Sequence, residues 1–242
     1  MYVYLISLGR VSYAEGLRVQ ERVVAARKAG AIGDVLLLME HPPVLTLGRN
    51  SGRGHVLLSD EELARRGVEL CETNRGGDVT YHGPGQLVGY PVVDLRGDLP
   101  GKKGPHLGPV DFVRLLEEVL IRACAEFGVM AERVKGRTGV WTAVHPGAGG
   151  SVLEKKIAAI GVHVSQGVTS HGFALNVTTD LRDFQWIVPC GIADRAVTSL
   201  ELEAERVPTL EEAGNAVARS FGRVFGRQVV GVGTVEELLG GE

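Results

Sequence analysis

The sequence predicts an α+β fold, and three observations carry that expectation. Extended runs and helical patterns intermingle without regular β-α-β alternation. Two stretches, 112–127 and 210–224, repeat apolar residues at helical spacing. Two adjacent extended runs, Lys156 to Val164 and His171 to Val177, are separated by Ser165-Gln166-Gly167-Val168, which predicts a hairpin.

Taken in order, Met1 to Ser7 reads as a first strand. Ser12 and Glu15 form a capping-box pattern opening a helix that ends near Gly30, with Leu17, Val24 and Ala25 as its expected buried face. Val35 to Met39 is a continuous apolar run, hence a buried strand. Glu40-His41-Pro42-Pro43 breaks it, and Val44 to Arg49 resumes an extended course. Ser59 and Glu62 cap a short helix that stops at Gly67, and Val68 to Thr73 is extended again. Lys102 to Pro109 is a connector before the helix carrying Phe112, Leu115, Leu116, Val119, Leu120, Ala123 and Phe127. Arg137 to Thr142 reads as a strand running into a mobile loop at His145 to Gly150. Thr209 and Glu212 cap a last long helix with a stripe of Leu210, Ala213, Val217, Phe221 and Val224. Gln228 to Val232 and a Thr234-capped turn follow. No linker divides the chain, so a single domain, 1–242, is expected.

Composition narrows the class. The chain of 242 residues can bury a sizeable core. Its formal charge of −3 argues against general nucleic-acid binding. No apolar run approaches the ~20 residues of a membrane span, and the N-terminus lacks the basic region of a signal peptide. Three cysteines without a pairing pattern suit a reducing cytoplasm, and no zinc-ligand spacing occurs. Glycine is the unusual component: 34 residues, about 14% against a usual ~7%, clustered rather than periodic.

The densest cluster is Arg75-Gly76-Gly77-Asp78-Val79-Thr80-Tyr81-His82-Gly83-Pro84-Gly85-Gln86, which leads directly into the apolar run Leu87 to Val93. Polar side chains interleaved with glycines ahead of a strand read as a place where a ligand docks against main chain.

Two residues could carry chemistry. Cys190 lies between Pro189 and Gly191, on a turn that can present a thiolate to substrate; a buried turn cysteine is the equal alternative on local context alone. Cys71, mid-strand, and Cys124, beside a helical stripe, read as structural. Lys156 opens the apolar run Ile157 to Gly161. Strict alternation places it on one face with Ala158, Ile160 and Val162, where partial desolvation lowers its pKa, although it could equally snorkel to solvent.

Arg75 to Pro91, Lys156 to Gly161, His171-Gly172-Phe173-Ala174-Leu175-Asn176-Val177 and Pro189-Cys190-Gly191 occur in this order, with Glu40 to Arg49 and Gly139-Val140-Trp141 besides. Together they resemble the signature of the octanoyltransferases of protein lipoylation, over roughly residues 1 to 225. Val188 departs from it, standing where that family usually has asparagine.

The resemblance implies a mixed β-sheet with flanking helices, similar to the catalytic domains of biotin and lipoate protein ligases. It implies transfer of octanoyl from octanoyl-acyl carrier protein to a lysine of lipoyl domains of 2-oxoacid dehydrogenases and of glycine cleavage H protein. Cys190 would be the nucleophile and Lys156 its base, with no cofactor or metal. Arg75, Gly76, Gly77, Asp78, Val79, Thr80, Tyr81 and His82, with Ala159, Ile160, Gly161, Gly172, Phe173 and Ala174, would line the substrate site. Arg75 and His82 would edge the carrier entrance, and His171 would support the site or touch the carrier. A monomer is the working expectation, with no nucleic-acid or membrane partner. The competing readings are an ATP-dependent lipoate or biotin ligase of the same fold, and a non-catalytic carrier-binding module.

Overall fold

A computed structural model of the chain describes residues 1–144, 153–188 and 196–240. The first half contains β1 (Tyr2–Arg10), α1 (Tyr13–Lys28), β2 (Asp34–Glu40), β3 (Val44–Leu47), α2 (Asp60–Arg66), β4 (Glu69–Glu72), β5 (Thr80–His82) and β6 (Gln86–Val92). The second contains α3 (Pro109–Ala125), β7 (Ala131–Glu132), β8 (Val140–Val144), β9 (Leu153–Ser165), β10 (Val168–Asn176), α4 (Leu200–Glu203), α5 (Leu210–Phe225), β11 (Gln228–Gly231) and α6 (Val235–Leu239).

One large sheet runs in the spatial order β11-β1-β2-β6-β10-β9-β8-β7. The pairs β11–β1 and β1–β2 are parallel, and the remaining neighbours are antiparallel. The fold is therefore α+β with a mixed sheet and flanking helices, as expected. Helices α3 and α5 cover one face, where Phe112 and Phe225 meet edge-on and Phe221 stacks on Phe225 at 4.1 Å. Each fully buried aromatic or aliphatic side chain there contributes about 1.5–3 kcal/mol. Helix α1 packs on the opposite face, against β6 and β10. A smaller sheet, β4-β3-β5, holds the loops that reach over that second face.

The helix signals act as read. Ser59–Glu62 and Thr209–Glu212 form complete capping boxes, and Gly67 and Gly226 end their helices in the left-handed conformation. In α1, Ser12 accepts from Glu15 N, but the buried face is Tyr13, Gly16, Val19, Gln20 and Val23, with Ala25 exposed. The expected face is thus rotated, because Gln20 turns inward to accept a hydrogen bond from the backbone of His171. The hairpin is tighter than expected: β9 extends to Ser165 and β10 begins at Val168, leaving Gln166 (φ 52°) and Gly167 (φ 80°) as a two-residue turn. Positive φ at both positions matches the twist of the flanking strands. Strand β8 starts only at Val140, after a turn in which Arg137 N–H donates to Val134 O. The loop expected at 145–150 lies outside the described residues.

Candidate active site

The floor of the site comes from three antiparallel strands. Val88, Ala174 and Ala159 lie in register across β6, β10 and β9, and Gly172 pairs with Gly161. These small side chains leave room above the sheet, and a cavity of about 360 Å³ occupies it. That volume lies within the range of small-molecule pockets.

The glycine-rich stretch forms the roof. Gly76 N–H donates to Val162 O at 3.1 Å, while Arg49 and Asn50 N–H donate to the carbonyls of Arg75 and Gly77. The loop is thereby fastened both to β9 and to the end of β3. Gly161 permits the approach, since a Cβ there would sit 2.6 Å from Gly76 O. Asp78 lines the cavity and accepts at 2.6 Å from both Val79 N–H and His55 Nδ1–H.

Arg75 and His82 are buried, at 8% and 7% exposure, so they do not edge an entrance. Arg75 is held by Thr46, with Nη2 donating to the Thr46 carbonyl at 2.7 Å and Nε to its hydroxyl at 3.2 Å. Its guanidinium shapes the loop from behind. Gln86 Nε2 donates to Tyr81 O and Asn176 Oδ1, which leaves Gln86 Oε1 to accept from His82 Nδ1–H at 2.7 Å. Nε2 of His82 is then the lone-pair nitrogen. Burial first, then the neighbouring His41, pushes its pKa down to about 3, so the ring is neutral.

His171 is 4% exposed and has a backbone φ of 55°, which a histidine rarely adopts. Its N–H donates to Gln20 Oε1 at 2.5 Å and its Nε2–H to Asn74 Oδ1 at 2.7 Å. Burial lowers its pKa to about 4, and Nδ1 is buried with no hydrogen-bond partner among the described residues. An unmet buried acceptor costs roughly 1–3 kcal/mol. Tyr13, stacked on His82, is pushed up to about 12 by burial, and Tyr90 is raised by burial as well. At this end of the cavity the histidines and tyrosines are neutral, and the buried Arg75 guanidinium is the charge beside them.

At the other end, Lys156 lines the cavity with its Nζ 4.7 Å from the centre of the Trp141 ring. Its neighbours differ from those that strict alternation predicts. Pairing between β8 and β9 slips, so that Val140 faces Ala158 while Trp141 faces Lys156. The bulge at Ile157 sends both Ile157 and Ala158 into the core and puts Lys156 on the face of Ala159 and Gly161 instead. Lys156 N–H donates to Ala196 O, and its carbonyl accepts from Thr198 N–H.

Cys190 lies outside the described residues. Burial raises the thiol pKa of both other cysteines, Cys124 up to about 12, and neither lines the cavity. Of the expected substrate-site residues, Gly76 and Tyr81 face elsewhere: Gly76 pairs with β9, and the Tyr81 hydroxyl donates to Asp183 Oδ2 at 2.6 Å. The others line the cavity. So do Gln86, Val88 and Tyr90, whose alternation along β6 was a readable signal, and Trp141, Asn176 and Tyr13, which the sequence reading missed. Among the described residues no group of three or more His, Cys, Asp or Glu could hold a metal ion, and no helix is long and apolar enough to cross a membrane.

Known proteins bear on this arrangement. The lipoyl protein ligase A/B catalytic domain family matches residues 12–222. An octanoyltransferase of Acidobacterium capsulatum is 63% identical over 99% of this chain and 96% of its own length. One of Koribacter versatilis is 51% identical, covering 98% and 90%. A bipartite lipoate protein ligase from an archaeal lipoylation system, that of Thermoplasma acidophilum, superposes with a TM-score of 0.73 over 99% of this chain and 90% of its own, at 18% identity, and so shares the fold. The chain belongs to the lipoyl protein ligase A/B catalytic-domain family, among its octanoyltransferases, and is an acyltransferase.

Proposed function

We propose that the chain, acting as a single domain, moves an octanoyl group from octanoyl-acyl carrier protein to a lysine of a lipoyl domain or of glycine cleavage H protein, through a thioester on Cys190. One observation carries the reading. The segment 189–195, which holds Cys190, is flanked by residues tied to the cavity walls. Before it, Val188 N–H donates at 2.9 Å to the carbonyl of His55, whose ring is bonded to the cavity residue Asp78. After it, Ala196 accepts from Lys156 N–H at 3.0 Å. Because Val188 is tied through its main chain, the loss of the usual asparagine side chain leaves this anchor intact.

The chemistry balances without a co-reactant. Lys156 Nζ takes the proton of the Cys190 thiol, and the thiolate attacks the carbonyl carbon of the octanoyl thioester. The carrier's phosphopantetheine thiolate leaves and takes up that proton, giving the acyl-enzyme. The acceptor lysine amine then attacks the acyl-cysteine carbonyl. Lys156 receives the amine proton and returns it to the departing Cys190 sulfur. A thioester and an amine become an amide and a thiol. The small residues of the floor suit a straight acyl chain, and main-chain N–H groups of the roof supply donors for the oxyanion. With acyl carrier protein as donor, the reaction belongs in the cytoplasm.

Incubation with octanoyl-acyl carrier protein and a lipoyl domain, without ATP, tests the reaction. An octanoyl mass increase on the lipoyl domain is expected. Transfer that requires ATP and free octanoate instead would identify a ligase and overturn the proposal.

A further inference from the structure

Two cavities meet at His171. The acyl-transfer cavity is closed at one end by Tyr13, Tyr90 and His171, all buried, and near Lys156 it is bordered by exposed Gly136, Thr138 and Ala196. On the far side of His171 lies a groove of about 860 Å³ between α1 and the β9–β10 hairpin, with Leu17, Val24, Val168 and Asn74 in its walls. His171 lines both spaces.

The imidazole is held there as a partition. Alternation along β10 would turn residue 171 toward the side of Phe173 and Leu175, which join the core beneath α3 and α5. With φ at 55° the ring instead meets Tyr90 edge-on, at 6.0 Å between centres, and bonds the exposed Asn74. Gln20 secures the backbone N–H in that conformation. A left-handed position favours glycine, so a histidine fixed there by three separate contacts points to a use for its side chain.

We propose that His171 sets the acyl-chain length, its ring ending the channel where the terminal methyl of the bound acyl group arrives. The proposal rests on the octanoyl-transfer reading, which puts the thioester at Lys156 and the tail toward the closed end. Without the ring, the channel continues past Asn74 into the groove, and the half-buried Leu17 and Val24 offer apolar contact to a longer chain. Each further buried methylene then favours binding by roughly fourfold.

The test compares kcat/KM for octanoyl-, decanoyl- and dodecanoyl-acyl carrier protein in the full chain. In His171→Ala the dodecanoyl-to-octanoyl ratio should rise about tenfold or more. Asn74→Ala, at an exposed residue, removes the bond that holds the ring and should move the ratio in the same direction by more than about threefold. A ratio within about threefold of wild type in a folded His171→Ala overturns the proposal; if that variant does not fold, Asn74→Ala decides by the same threshold. A wild type that transfers no octanoyl group overturns the parent reading, whereas normal octanoyl transfer with an unmoved ratio overturns this proposal alone.

Discussion

Lys156 and Val197 form a parallel bridge: Lys156 N–H donates to Ala196 O at 3.0 Å, and Thr198 N–H donates to Lys156 O at 2.9 Å. The chain leaving segment 189–195 therefore rides on the strand end that carries the lysine. This pairing fixes the β9 backbone on which Lys156 projects toward the cavity.

Replacing that side chain tests its role as a proton carrier. Lys156→Met keeps an unbranched chain over Trp141 and should slow acyl-enzyme formation by about 10²–10⁴-fold, the usual worth of a positioned general base. Lys156→Arg should not rescue it, since a guanidinium does not give up its proton near neutrality. Single-turnover rates with octanoyl-acyl carrier protein provide the check. A Cys-His mechanism predicts the reverse, with His82→Ala inactive and the Lys156 variants active.

The roof depends on Gly161. An alanine Cβ would lie 2.6 Å from the carbonyl oxygen of Gly76, a backbone atom fixed by its own loop. Gly161→Ala should displace the 75–80 loop, cost about 1–3 kcal/mol in stability and raise KM for the acyl donor. Urea unfolding together with steady-state kinetics reads both effects.

Buried neutral histidines make the fold acid-sensitive. His82 is lowered to about 3 and His171 to about 4, both chiefly by burial, from an ordinary value of 6.5. Below about pH 6.5 the unfolded chain binds protons at these rings and the folded chain does not, so stability is complete above that pH and is lost as the pH falls to about 4 for His171 and about 3 for His82. The loss is up to about 1.4 kcal/mol per pH unit for each ring. Urea midpoints should decline steadily from about pH 7 to about pH 5, and His82→Gln should flatten the slope.

Much of this was legible in the sequence wherever the signal is local. Ser59 with Glu62 and Thr209 with Glu212 start helices where they occur, because the capping bonds span three residues. The apolar run at 35–39 became a buried strand for the same kind of reason. Phase errors mark where distant partners decide. The bulge at Ile157 arises from pairing with β8, and it moves Lys156 to the opposite face from the one strict alternation gives. Gln20 is buried in α1 because its partner, His171, is 151 positions away. Arg75, expected at the carrier entrance from the resemblance, is satisfied inside by Thr46 of the neighbouring strand. Tyr13 reaches the site only through the packing of α1 on the sheet, which no local pattern encodes.

In the proposed mechanism Cys190 carries the acyl group between donor and acceptor. Intact-mass measurement of the protein after brief mixing with octanoyl-acyl carrier protein, without acceptor, tests it directly. One added octanoyl group is expected, mapped to Cys190 and absent from Cys190→Ser. An unmodified wild type, or a Cys190→Ser variant that still acylates and transfers at the wild-type rate, would contradict it.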